Sequence, residues 1–327
     1  MSATKLKKRP NIVVLDGYTL NPGDLSWRRL ESLGHLTRYD YTPAENIIER
    51  AGSATILIVN KAVIDAEVLS QLPLLQCIIV SATGYNNMDI AAARQRNIPV
   101  CNAVGYGSDS VAQHVFALLL EWQNRVSTYR KSVQAGDWAR SRDFCYYLHT
   151  TRELAAQTIG IYGFGRIGQK VALIAQAFGM NVLACHKHPE RDAMSDVSFV
   201  DVETLFAQSD VVSLHAPLSA DNEGFVNQAL LSRMRPHALL INTGRGGLIH
   251  EADLRKALLA KTIGGAALDV LSQEPPPEDH PLMGLENCWI TPHIAWASAE
   301  ARARLMDITV ENVQAFLAGT LQNVVNE

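Results

Sequence analysis

The chain has 327 residues, room for about two domains at roughly 150 residues each and enough to bury a sizeable core. Its formal charge of −4 and pI near 6.2 exclude the basic field that holds nucleic acid or an acidic membrane surface. Hydrophobic residues make up 47%, ordinary for a soluble globular protein.

The cysteines Cys77, Cys101, Cys145, Cys185 and Cys288 are odd in number and form no CxxC pair. That argues against a disulfide framework and against a cysteine-ligated zinc site. The opening run MSATKLKKRPNIVVLDGY is basic but lacks the apolar stretch of a signal peptide. The run closest to a membrane span, 110–122, is too short to cross a bilayer and contains Gln113 and His114. A soluble, cytoplasmic protein of a reducing compartment is expected, with no metal, nucleic acid or membrane partner.

In chain order, residues 11–15 form a short β-rich run ending at the turn signal Asp16-Gly17. Apolar runs follow at 55–59, 77–80 and 99–101, with helix-like stretches at 64–72 and 89–96 between them. Strands alternating with helices predict βαβ units and a parallel sheet. Residues 110–125 read as one helix, apolar almost all round, which needs packing on more than one face. Burial within the chain and a subunit interface both satisfy that need. Residues 127–153 are polar, rich in aromatics and weakly periodic, and read as an extended arm. A second α/β unit begins at Thr158, with strands expected at 158–162, 181–185, 211–215, 239–242, 265–268 and 288–290. The last helix, 297–317, has too little chain after it to build a domain and is expected to return to the first unit. Residues 273–280, with three consecutive prolines, form a stiff loop.

The strongest local signal is TIGIYGFGRIGQKVALIAQAFG (158–179). Gly163, Gly165 and Gly168 make a GxGxxG directly after a strand and at the mouth of a helix. The first allows a tight turn, the second lets backbone approach a pyrophosphate, and the third lets helix and strand pack closely. Arg166 and Ile167 begin the helix, whose free N–H groups and partial positive charge suit phosphates. The same fingerprint predicts an acid about 20 residues on, for the ribose hydroxyls. His186, Lys187 and His188 follow the strand instead, with Arg191 nearby. That cluster reads either as a solvated basic turn or as a pocket for a 2′-phosphate, so the cofactor is NAD or NADP, with a modest preference for NADP.

Three further polar residues each follow a strand of the same expected sheet, where ligands of open parallel sheets bind. Arg245 lies in INTGRGGLI, beside Thr243 and Gly244. Its guanidinium can grip a carboxylate with two parallel hydrogen bonds. Asp269 and Glu274 lie in ALDVLSQEPP, and His293 in ITPHIAWAS. Hydride transfer to a carbonyl needs a proton donor, and histidine suits that at neutral pH. A carboxylate partner favours the imidazolium and fixes its tautomer. Arg245, Glu274 and His293 are therefore read as a catalytic trio. His215, in the segment His215-Ala216-Pro217, either lines the adenine side or packs. His114 reads as a satisfied core histidine, and His35, His149, His237, His250 and His280 show no metal-ligand spacing.

At this point the chain resembles the D-isomer-specific 2-hydroxyacid dehydrogenase family. The resemblance spans nearly the whole chain and is carried by GFGRIGQ (163–169), SDVVSLHAPLS (209–219), INTGRGGLI (241–249), ALDVLSQEPP (267–276) and TPHIAW (291–296). LDGYTLNPGDLSW (15–27) and PHIAWAS (292–298) are most similar to the subgroup that interconverts hydroxypyruvate and D-glycerate, or glyoxylate and glycolate. D-lactate or phosphoglycerate chemistry is the alternative within the family. The resemblance implies two Rossmann-like, doubly wound parallel sheets with a cleft between them. A flavodoxin-like substrate domain would comprise 1–102 plus 295–327. A dinucleotide-binding domain, 103–294, would carry a dimerisation helix and arm, hence a homodimer.

It also implies that Ala216, Pro217, Asn222, Thr243 and Gly244 line the dinucleotide and that Asp269 meets the nicotinamide carboxamide. Thr83, Gly84 and Tyr85 would offer backbone N–H groups to the substrate carboxylate, with Asn60 and Lys61 nearby. Three positions depart from the family pattern. His186 stands where NAD-binding members usually carry Asp, Asn222 where they carry a threonine, and Gln113 where they carry a glutamate. Transcriptional corepressors among the relatives bind dinucleotides without catalysis, but they are marked by partner-binding tails that this sequence does not show. Formate dehydrogenases pair the catalytic histidine with Gln, which Glu274 argues against.

Overall fold

Aliphatic runs too short to be helices become the strands of two parallel sheets in this computed structural model, which describes residues 9–326. The basic start, residues 1–8, lies outside the described residues. The chain divides into two units, Met1–Gly107 with Ala297–Glu327, and Ser108–Trp296.

The first unit has five strands: β1 (Asn11–Val14), β2 (His35–Arg38), β3 (Ile56–Val59), β4 (Cys77–Val80) and β5 (Val100–Cys101). All pair in parallel, in the order β2-β1-β3-β4-β5. Every residue of β3 and β4 is buried, as strands covered on both faces must be. The order reverses between β1 and β3, and Asp16 sits at that point. Its carboxylate accepts the backbone N–H groups of Asn60 (2.7 Å), Lys61 (2.5 Å) and Ala62 (2.8 Å). Asn60, buried, also donates to Ser81 O, and Asn87 donates to Asn60 O and Ala62 O. The loops after β3 and β4 are thus cross-braced. Thr83 Oγ1 donates to Ala103 O, while Gly84 and the exposed Tyr85 complete that turn.

The last helix, Ala299–Ala318, belongs to this unit, capped by Ser298 at its start and by Gly319 (φ 75°) at its end. Arg302 makes a two-pronged ion pair with Asp24, both contacts at 2.6 Å. Beyond the helix, Val325 N donates to Val100 O, Val100 N to Asn326 Oδ1, and Asn102 N to Asn323 O.

The second unit has seven strands: β6 (Thr158–Tyr162), β7 (Asn181–Cys185), β8 (Val197–Phe199), β9 (Val211–Leu214), β10 (Leu239–Asn242), β11 (Gly265–Leu268) and β12 (Cys288–Ile290). They pair in parallel in the order β12-β11-β10-β9-β6-β7-β8. Successive side chains feed two cores. Val212, Leu214, Leu240, Ala266 and Leu268 join one. Val211, Leu239, Ile241 and Ala267 join the other, with helices Ser108–Asn124 and Arg166–Ala177. Helix Ser108–Asn124 buries one stripe: Val111, Ala112, Val115, Phe116, Leu118 and Leu119. Its packing need is thus met within the unit on that face.

Two strands and a helix go beyond the sequence reading. The edge strands β2 (HLTR) and β8 (VSF) are short and have few buried side chains, so they lack the apolar signature of central strands. The arm contains a helix, Val126–Gln134, with no buried residue; Arg125 in the left-handed region (φ 52°) separates it from the helix before. Among the described residues no helix is long and apolar enough to cross a membrane. All five cysteines are free.

Candidate active site

In the second unit the strand order reverses between β6 and β9, the place where parallel α/β sheets bind ligands. The glycine loop leaves β6 there. Gly163 adopts φ 93°, and a Cβ on it would lie 2.4 Å from Ala216 N, so only glycine fits. Around Gly165 a Cβ would meet nothing within 4 Å. Gly165 caps helix Arg166–Ala177 with no side chain bonded to the helix start, which leaves the first N–H groups, those of Arg166 and Ile167, without an intrahelical acceptor. Gly168 packs against Gly163 O.

Two buried polar atoms near by have no partner among the described residues, His215 Nδ1 and Thr243 Oγ1. Open space over a helix N-terminus, flanked by orphaned polar atoms at the ends of β9 and β10, fits a dinucleotide diphosphate. Gly165→Ala is expected to fold normally yet weaken dinucleotide binding about tenfold, the scale of a charge-assisted contact. Gly163→Ala should lose roughly 1–3 kcal/mol of stability from backbone strain alone. Melting curves and binding titrations of the two variants separate these outcomes.

His215 donates or accepts at Nε2 with Ser213 Oγ, 2.8 Å away. Burial pushes its pKa down from 6.5 to about 4. The unfolded chain therefore takes up this proton near pH 6.5, while the folded chain waits until about pH 4. Stability is lost across that window as pH falls, by about 2–3 kcal/mol from this group at its lower end. His215→Gln should flatten the fall in Tm between pH 7 and pH 4.5; an equal fall in wild type and variant would exclude this contribution.

Arg245, Glu274 and His293 follow β10, β11 and β12. Asn242, fully buried, fixes the first turn: its Nδ2 donates to Arg245 O (2.8 Å) and its Oδ1 accepts from Gly244 N (3.0 Å). The Arg245 guanidinium is half-buried and makes one protein contact among the described residues, from Nη1 to Gly244 O. Glu274 is set by Leu271 N–H on Oε1, and its Oε2 lies 2.6 Å from His293 Nδ1. That pair leaves His293 Nε2 available to a reactant. The two side chains are 24% and 31% exposed, covered but reachable.

Asp269 shapes the turn that carries His293. Its buried carboxylate accepts Thr291 Oγ1–H (2.5 Å), Ile294 N–H (2.9 Å) and Ala295 N–H (2.8 Å), and its carbonyl accepts His293 N–H. His293 itself sits at φ 54°, a conformation histidine tolerates better than most residues. His114 Nε2 lies 3.1 Å from Thr291 Oγ1, so the histidine read as core is tied to this turn. Glu251 braces the next loop by accepting from Ser272 and lying 3.2 Å from His280 Nε2.

The structure thus brings His293 and Glu274 into contact and places Arg245 on the adjacent strand end. Asn60, Lys61, Thr83, Gly84 and Tyr85 lie in the other unit. Asn222 is committed locally: its amide donates to Pro217 O and accepts from Ser219 N. The expected basic cluster contains a carboxylate that sequence reasoning passed over, Asp192. His186 Nε2 lies 2.7 Å from Asp192 Oδ2, and Arg191 folds onto the same oxygen. The one signal was an acid six residues after His186 in HKHPERD. No group of His, Cys, Asp and Glu among the described residues could hold a metal ion.

A parallel sheet with a glycine loop at its switch point after β6, and a His–Glu pair at the ends of β11 and β12, three and four strands along the same sheet, defines a dinucleotide-dependent oxidoreductase. Residues 116–295 match the D-isomer specific 2-hydroxyacid dehydrogenase NAD binding domain. The chain is 44% identical to a hydroxypyruvate reductase of Blautia hydrogenotrophica over 97% of this chain and 99% of that one. It is 43% identical to a glycerate dehydrogenase of Methylorubrum extorquens over 87% and 89%. The crystal structure of the TT0316 protein from Thermus thermophilus superposes with a TM-score of 0.85 at 34% identity, covering 96% of this chain and 99% of that one. The chain belongs to the D-isomer-specific 2-hydroxyacid dehydrogenases, and is an oxidoreductase that uses a nicotinamide dinucleotide.

Proposed function

We propose that the protein reduces hydroxypyruvate to D-glycerate, and glyoxylate to glycolate, with Arg245, Glu274 and His293 as the working residues. The observation that carries this reading is the 2.6 Å contact between His293 Nδ1 and Glu274 Oε2, which commits one ring nitrogen and frees the other. The relatives named for hydroxypyruvate and glycerate support the choice of substrate.

When bound, the reduced nicotinamide supplies a hydride to the carbonyl carbon. Arg245 grips the carboxylate of the 2-oxo acid and polarises its carbonyl. His293, protonated on both nitrogens, gives the Nε2 proton to the developing alkoxide. Glu274 stabilises the imidazolium before that transfer and holds the ring's orientation after it. Hydride and proton together convert C=O to CH–OH; oxidation runs the same steps in reverse. Gly163, Gly165, Arg166, Ile167, Gly168, His215, Ala216, Pro217 and Thr243 hold the dinucleotide. Asp269 acts chiefly by shaping the His293 turn. Asn60, Lys61, Thr83, Gly84 and Tyr85, on the loops after β3 and β4, are assigned to the substrate by the family resemblance alone.

The protein acts as a homodimer in the cytoplasm. Supporting these are the exposed arm aromatics Trp138, Phe144 and Tyr147 and the five free cysteines. The preference for NADP drawn from His186 and Lys187 loses most of its support. Two of the cluster's groups face Asp192, which leaves Lys187 as the cation without a carboxylate partner among the described residues. The deciding experiment is an NADH- and NADPH-linked assay with hydroxypyruvate, glyoxylate, pyruvate and phosphohydroxypyruvate. Hydroxypyruvate should give the highest kcat/KM, and a preference for pyruvate or the phosphorylated acid would overturn the substrate assignment.

A further inference from the structure

Strand β7 ends at Cys185, and the residue at its tip is His186 rather than an acid. The ring is nevertheless oriented at both nitrogens. Phe164 N–H, in the glycine loop, donates to His186 Nδ1 at 3.1 Å. Since Nδ1 accepts, the ring proton lies on Nε2 and is donated to Asp192 Oδ2 at 2.7 Å. Arg191 adds two bonds to the same oxygen, from Nε at 3.0 Å and Nη2 at 2.6 Å. Oδ2 is saturated by these three donors. Oδ1 accepts no hydrogen bond among the described residues, and the side chain is 16% exposed. The Arg191 guanidinium, then His186, hold the carboxyl below the usual carboxylate range, so it is ionised at neutral pH.

An ionised oxygen with free lone pairs, coupled through one imidazole to the diphosphate loop, stands in the surroundings where a strand-tip acid would meet the adenosine ribose. Such an oxygen accepts hydrogen bonds from ribose hydroxyls and repels a 2′-phosphate. Arg191, which could otherwise meet that phosphate, is turned onto Asp192. Lys187 is exposed, so its attraction is weakened by solvent and salt.

We propose that Asp192, held beside the tip of β7 by His186 and Arg191, is the acid that selects the unphosphorylated adenosine ribose and makes NAD(H) the preferred cofactor. Asp192 is the specificity-determining residue and His186 a positioning residue that ties it to the glycine loop. This rests on the reading that the second unit binds a nicotinamide dinucleotide.

The test is equilibrium binding on the full chain, by quenching of tryptophan fluorescence with NADH and NADPH and by competition with 5′-AMP and 2′,5′-ADP. Wild type should bind NADH about tenfold or more tighter than NADPH, and 5′-AMP should compete better than 2′,5′-ADP. Asp192→Asn should weaken NADH about tenfold while leaving NADPH unchanged or tighter. His186→Ala should move the NADH:NADPH ratio in the same direction. Equal or tighter binding of NADPH by wild type, or an Asp192→Asn variant that weakens both cofactors alike, overturns the proposal while leaving dinucleotide binding in place. If wild type binds neither dinucleotide, that reading falls together with the proposal. The wild-type comparison and the nucleotide competition decide the matter even if a variant does not fold.

Discussion

His293→Ala is expected to lower kcat for hydroxypyruvate reduction by about 10²–10⁴, the usual loss when a positioned acid/base is removed. Dinucleotide affinity should stay close to wild type, because the glycine loop and the orphaned atoms of His215 and Thr243 lie on other strand ends. The backbone at this position is left-handed, φ 54°, and alanine tolerates that less well than histidine does. His293→Asn keeps a residue at ease in that conformation and removes the acid, so it should be as inactive as the alanine variant. Single-turnover reduction with bound cofactor reads the chemical step directly. A kcat within a few-fold of wild type in the asparagine variant would remove His293 from the mechanism.

Arg245→Lys is expected to raise KM for hydroxypyruvate and to cut kcat/KM by one to two orders of magnitude. The guanidinium is anchored at Nη1 by Gly244 O, 2.8 Å away, which steers its remaining donors. Lysine offers a point charge on a flexible stem and cannot reproduce two parallel bonds. A hydrogen bond to a charged group is worth about 1.5–3 kcal/mol, or roughly 10- to 150-fold. The turn is held from beneath by Asn242, which bonds Arg245 O and Gly244 N, so the substitution should leave the loop in place. Steady-state kinetics against hydroxypyruvate settle the point, and unchanged constants would place Arg245 outside the site.

Much of the second unit was legible because its central strands are covered on both faces and read as unbroken aliphatic runs. Bounds foreseen for β6, β7, β10, β11 and β12 coincide with those observed. The polar residues that follow them stood out because strand ends are where a parallel sheet exposes function. Less legible were features that depend on where a loop turns. Asp192 returns to His186 across six residues, and Asp16 closes the loop after β3 from 44 residues away. No periodicity encodes such returns. The edge strands β2 and β8 went unread for a related reason: one neighbour and a wet face remove the aliphatic pattern that marks a buried strand. The helix Val126–Gln134 buries nothing; its apolar residues Val126, Tyr129 and Val133 do recur at helical spacing, but over only nine residues in a polar stretch.

The bonds from residues 323–326 to β5 also set an order of assembly during synthesis. Ser108–Trp296 leaves the ribosome as one uninterrupted stretch, and every strand of its sheet is then in hand. The first hundred residues emerge earlier but lack their closing pieces. Val100 waits for Val325 and Asn326, Asp24 waits for Arg302, and Asn102 for Asn323. The part made first is therefore closed only after the second unit is made, and until residues 323–326 emerge its β5 edge is open to pairing with another nascent chain. A message cut short after codon 296 would yield a completed second unit attached to a half-built, aggregation-prone first one.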